Sequence, residues 1–161
     1  MAIGPLPNPA ALDQPANESL RDHFKPSRLK PGFPLLCTPD QVARPYDSLG
    51  THPDLVARLW DELQVQLPVD CRVVFCGVPA LMHPVTGIVF GFAGGTHTYA
   101  LRLPDAMRAE AILAGATRIR HYPVKQPSFD LDVIGPEWVF GEWFKGEVAW
   151  CVAAYEFAAT G

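Results

Sequence analysis

The side chains in this sequence best suited to chemistry are three histidines near strand-like runs, His83, His97 and His121, together with Cys76. Such a set is the raw material of a metal site or a Cys–His pair. Metal sites usually contain at least one close ligand pair. The steps from Cys76 to His83 and from His83 to His97 supply none, so neither a metal nor a cofactor is expected. A nucleophilic Cys76 would need a cation or a helix N-terminus to depress its thiol pKa. Its apolar neighbours mark it instead as a buried strand cysteine. The densest carboxylates are Glu137 and Glu142, with Asp130 and Asp132. Acid–base work needs environments that split two pKa values, and Asp130 and Asp132 share one strand face that reads as solvated. No G-x-S-x-G, P-loop, G-x-G-x-x-G or H-E-x-x-H pattern occurs. Gly91 to Gly95 is a turn with no helix behind it to cradle a phosphate.

An aromatic cluster fills the last quarter: Trp138, Phe140, Trp143, Phe144, Trp150, Tyr155 and Phe157. It would line a pocket or an interface, or fill a core against a sheet. No residue is expected to be catalytic. The residues placed to touch a ligand or a partner are His83, His97, Arg102, Glu137, Trp138 and Trp143.

These residues are positioned by the run from Cys71 to Gly115. Ile88 to Ala93 and Thr98 to Leu103 both alternate with period two. Gly94-Gly95 suits the reversal between them, with a loop of Gly94-Gly95 alone or Gly94 to His97. Either loop is even in length and puts Ile88, Phe90, Phe92, Tyr99, Leu101 and Leu103 on one face. The opposite face, with Gly91, Ala93, Ala100 and Arg102, is flat enough for a helix of this chain or a partner to lie on. After the hairpin, Pro104-Asp105 opens a helix over 106–114, with Asp105 as cap and Gly115 as stop. Upstream, Thr51-His52-Pro53-Asp54 starts another. Its stripe is Leu55, Val56, Leu59, Trp60 and Leu63, with Arg58, Asp61 and Glu62 outside it. Strands are predicted around 73–75, 80–82, 117–122 and 129–133, and a helical or turn segment from Gly135 to Phe144. Glu147 to Ala159 is the last helix, apolar nearly all round and so buried on two sides.

Residues 1–50 hold nine of the chain's 17 prolines. Proline lacks an N–H and fixes φ, which argues against long helix or central strand here. Phe24, Phe33, Leu36 and Tyr46 argue equally against a free tail. The expected organisation is a Pro-rich extended arm, 1–50, and one α+β domain, 51–161. That domain is an antiparallel sheet of hairpin-joined strands packed with helices.

The net charge of −4 over 161 residues opposes nucleic-acid binding. The four cysteines are scattered and read as reduced thiols of a cytoplasmic protein. No run approaches the roughly 20 apolar residues of a membrane span.

The residues Phe75-Cys76-Gly77, Phe90, Tyr99 to Pro104, Arg108 and Ala114-Gly115 give a resemblance to the TfoX/Sxy N-terminal domain and its YjbR-like relatives, over about residues 54–120. Arg102 stands where that family often has lysine, Cys76 separates Phe75 from Gly77, and the arm has no counterpart. The resemblance implies a small α+β domain with an accessory or regulatory role and no established catalytic residues. The expected function is a non-catalytic interaction or regulatory module, with a protein partner or a second copy of the chain. The alternative is a small-ligand or enzyme pocket beside the aromatic cluster, with His83, His97 and Glu137 as its polar groups.

Overall fold

A computed structural model describes residues 8–28, 31–94, 98–116, 119–120, 129–130, 134–141 and 147–160. The fold is α+β. Its strands are β1 (Leu36–Cys37), β2 (Arg72–Phe75), β3 (Val78–Met82), β4 (Val89–Gly94), β5 (Thr98–Arg102), β6 (Ile119–Arg120), β7 (Phe129–Asp130) and β8 (Trp138–Gly141). Its helices are α1 (Glu18–Arg28), α2 (Pro53–Ala57), α3 (Asp105–Leu113) and α4 (Glu147–Ala159). Six strands make one antiparallel sheet in the order β1-β2-β3-β4-β5-β8, and β6 pairs with β7 separately.

Two turns set the register. Cys76 and Gly77 alone join β2 to β3, at φ +50° and +82°. Positive φ at both central residues matches the twist of a tight hairpin. Cys76 is therefore a turn residue, not the strand residue its neighbours suggested. Between β4 and β5 Gly94 pairs with Thr98, so an odd number of residues, rather than an even one, separates the pair. Phe92 thus faces Ala100, and Ala93 faces Tyr99. A bulge compensates upstream. Leu81 pairs with Gly91 and Met82 with Val89, so Phe90 is an extra residue in β4. Phe90 and Gly91 then fall on the same face, where a side chain on Gly91 would press on Leu101, Leu59 and Leu81.

The consequence is a correction. Phe90, Phe92, Tyr99 and Leu101 are all buried, but not on one face. Ile88, Phe90, Tyr99, Leu101 and Leu103 join one core, and Phe92 joins the other. The expected flat face is split as well: Gly91 and Ala93 turn to the first core and Ala100 to the second, where Leu20 and Phe24 of α1, with Ala11, pack against Val89, Phe92, Ala100 and Trp138. Phe24 meets Phe92 edge-on at 5.0 Å between ring centroids.

The eleven residues of α1 lie in a segment whose prolines argued against a long helix. Those prolines punctuate it: Pro15 opens the 3-10 turn that leads straight into α1, and Pro26 comes in its last turns. Farther on, Thr38-Pro39-Asp40-Gln41 forms a capping box, in which Gln41 takes the Thr38 N–H at 2.8 Å. Cys37 and Leu49 are buried with Leu55 and Val56, so residues before and after Gly50 share one core. Phe33 and Tyr46 pack against it.

The first core lies under α2, the turns that follow it, and α4. After α2 the chain widens to a π-helical turn, Arg58–Glu62, and tightens to 3-10 geometry over Leu63–Gln66. Trp60 is buried there and donates its indole N–H to the Ala80 carbonyl at 3.0 Å. The segment expected as helix or turn after Gly135 contains β8, which pairs Trp138 with Arg102 and Phe140 with Ala100. Alternation of Trp138 and Phe140 to one core and Val139 to the other is what the exposed edge of β5 selects. Among the described residues no helix is long and apolar enough to cross a membrane.

Candidate functional site

His83 leaves β3 and opens the turn to β4. It is 6% exposed. Its Nδ1 accepts from the backbone N–H of Val85 at 3.2 Å and of Thr86 at 3.3 Å. A neutral imidazole with Nδ1 accepting carries its proton on Nε2. Burial pushes its pKa below the ordinary value. The ring stacks at 4.8 Å on Tyr155 of α4, and the Thr86 hydroxyl donates to the Ala158 carbonyl. The outer carbonyls of the same turn hold the N-terminal segment. Val85 accepts from the Asn8 side chain, Thr86 from Gln14 and Gly87 from Asn17, at 2.7–2.9 Å. Asn17 is itself buried and also accepts the Val89 N–H. Gly87 has φ +75°, and a Cβ there would come 3.1 Å from the Ala11 backbone. The turn that His83 opens thus ties three elements together: β3–β4, the N-terminal segment and α4.

Arg102, Glu137 and Trp138 come together two strands away, at the same end of the sheet. Arg102 pairs with Trp138 across β5–β8, and the Leu103 N–H donates to the Glu137 carbonyl at 2.8 Å. Trp138 is buried against Phe92. The Arg102 guanidinium lies 4.4 Å over the Phe157 ring. His97, Trp143, His121, Glu142, Asp132 and Phe144 lie outside the described residues. The described aromatics do not form one cluster. Trp138 and Phe140 enter the second core and Trp150 the first, because β8 and α4 cover different sides.

A buried polar group escaped the sequence reading: Arg58, Tyr99 and Glu147. Arg58 was placed outside the apolar stripe, yet its side chain is only 12% exposed. It donates to Glu147 at 2.8 Å and to Glu62 at 3.0 Å. The Glu147 side chain is fully buried and Glu62 is half exposed. Burial opposes the charge on Arg58, but the bonds to Glu147 and Glu62 and the nearby Tyr99 outweigh it and raise its pKa. The Tyr99 hydroxyl is buried beside this pair with no neighbour in good hydrogen-bonding geometry. Burial first, then the Glu147 carboxylate, pushes its pKa up. Gly141, the cross-strand partner of Tyr99, has no room for a Cβ. One would come 2.7 Å from Glu147 Oε2 and 2.8 Å from the Tyr99 hydroxyl. A guanidinium already shared by two carboxylates has little charge to offer an anion. The arrangement clasps the π-helical turn to the start of α4. The signal was available in one form: a carboxylate heading a helix that is apolar nearly all round requires a cation close by.

The four cysteines are free thiols and buried. Burial raises the pKa of Cys71 and Cys151 to about 12 and of Cys76 to about 11. Arg21 and Lys25 oppose the rise at Cys76 without reversing it. Among the described residues no three His, Cys, Asp or Glu side chains gather in a way that would hold a metal ion.

Comparison of the chain with protein-family models, with curated proteins and with solved structures finds no match.

Proposed function

We propose that the chain is a non-catalytic interaction or regulatory module, acting as a cytoplasmic accessory subunit that binds a protein partner or a second copy of itself. The observation that carries this reading is the use made of the buried polar side chains. His83 accepts the two N–H groups of its turn. Arg58 and Glu147 close on each other across two elements. Asn17 bonds Ala11, Gly87 and Val89. Arg58, Glu147 and Asn17 are spent on joining parts of the fold and His83 Nδ1 on its own turn, whereas a catalytic group must keep an atom free for substrate and an orienting partner behind it. The cysteines, with raised pKa values, are poor nucleophiles. The resemblance to TfoX/Sxy and YjbR-like domains points the same way. The test has two arms. Affinity capture of the full chain from crosslinked cells, with light scattering of the purified protein, is expected to give one stoichiometric partner or a defined homo-oligomer. In parallel, His83→Ala and Glu137→Ala are scored for the cellular phenotype, and neither is expected to abolish it while the fold is intact. A monomer with no partner, or a turnover lost in a well-folded Glu137→Ala, overturns the reading.

A further inference from the structure

Among the described residues, Arg21, Arg58, Arg72 and Arg108 each stand within ion-pair distance of a carboxylate, and Arg44, which does not, is exposed. Arg102 is built differently. It is half-buried at the end of β5, with its guanidinium carbon over the Phe157 ring, 4.4 Å from the centroid. Among the described residues no acceptor takes its N–H groups and no carboxylate is within ion-pair distance. Contact with the Phe157 ring restrains the guanidinium, and its N–H donors suit a planar, two-oxygen acceptor.

We propose that Arg102, laid on Phe157, is the anchor for a carboxylate of a protein partner, an acidic side chain or a C-terminus. The inference rests on the interaction-module reading and adds the chemistry of the contact. Burial lowers the pKa of Arg102, and the charge of Glu137 offsets this only in part. The cation is thus short of compensating charge, and an incoming carboxylate supplies it together with two parallel N–H···O bonds. Glu137 also sets the class of anion. A single negative charge is tolerated beside it, while a doubly charged phosphate meets stronger repulsion, and the chain as a whole carries −4. Arg108, three residues beyond α3's first residue, is already committed to Asp105 at 2.6 Å and to the Leu103 carbonyl, and it serves as the internal control.

The experiment follows the Nε–H resonances of the ¹⁵N-labelled full chain. Sodium acetate, sodium phosphate and sodium chloride are titrated in at matched ionic strength. The Arg102 signal is expected to shift saturably with acetate, less with phosphate and not with chloride, while the Arg108 signal stays put. A flat Arg102 response to acetate overturns the proposal. A stronger response to phosphate overturns the carboxylate assignment. Arg102→Lys keeps the charge and loses the fork, and should weaken binding of an acetylated, amidated Gly-Glu-Gly probe peptide by about tenfold. Arg108→Gln should leave it unchanged. Equal binding by a folded Arg102→Lys overturns the anchor. If that variant does not fold, the titration of the unaltered chain decides alone. An anchor that fails while a stoichiometric partner is still captured leaves the module reading in place. A responding Arg102 in a chain with no partner does the opposite.

Discussion

Arg58 and Glu147 stand 89 positions apart in the sequence and meet at 2.8 Å in the folded chain. Between them they join the π-helical turn after α2 to the first turn of α4, with Tyr99 of β5 beneath. Helical turns of π geometry are rare and often coincide with a local demand on one side chain. Here the wide turn carries both Arg58 and Trp60, so a cation and a large ring enter the interior from one turn.

Breaking that pair should be expensive. Glu147→Ala leaves a buried guanidinium without its inner partner and should cost about 3–5 kcal/mol. Replacing both, Arg58→Met with Glu147→Leu, should recover most of that loss, because two apolar side chains need no partner. Urea unfolding of the two variants measures it. A loss no larger than about 0.5 kcal/mol in Glu147→Ala, the scale of an ordinary surface change, would show that the carboxylate is not in place.

The bulge at Phe90 makes a separate prediction. Phe90→Ala and Phe92→Ala should each cost about 3–5 kcal/mol. Because the rings enter different cores, only Phe92→Ala should speed amide exchange in α1, through the lost contact with Phe24. Equal exchange in both variants would put the two rings back on one face.

Acid should loosen the β3–β4 turn. The folded pKa of His83 lies below its ordinary value of 6.5. As pH falls, the unfolded chain takes the proton first, so stability is present above that value and is lost as pH drops through it toward the folded pKa. His23, also lowered by burial, adds a contribution of the same sign. His83→Gln should flatten this acid limb between about pH 7.5 and pH 5.5. An unchanged slope in that variant would remove His83 from the account.

The thiols supply the simplest check. With Cys71 and Cys151 at about 12 and Cys76 at about 11, iodoacetamide should label the native chain slowly near neutral pH. All four should react at once in denaturant. Rapid native labelling at Cys76, counted by mass spectrometry, would mean that its turn is open.

Much of the fold was legible from local pattern. The existence of β2 to β5, the turn at Thr38, the Gly115 stop after α3 and the whole span of α4 follow from alternation, apolar stripes and turn residues, which act over a few positions. Asp105 was read as the cap of α3, but Pro104 takes that place, and the Asp105 carboxylate accepts from Arg108. Of the candidate site, Arg102, Glu137 and Trp138 do lie together, as neighbours across one strand pair. His83, expected to touch a ligand or a partner, accepts two N–H groups of its own turn, and these were invisible in the sequence because they depend on the turn's backbone directions.

What only the tertiary structure decided is how faces and partners were assigned. A period-two pattern cannot tell whether one extra residue, Phe90, has been inserted, since the bulge is selected by the room Gly91 leaves beside Leu59, Leu81 and Leu101. Nor can a proline count reveal that α1 will cover the second face, because that depends on Phe24 finding Phe92, far away in the chain. β8 became a strand because β5 offered an unpaired edge, not because its own residues demanded it. Arg58 looked solvent-facing on its own helix and was drawn inward by a carboxylate 89 residues away. Local sequence sets which backbone shapes are cheap, and long-range burial of charge and apolar surface chooses among them.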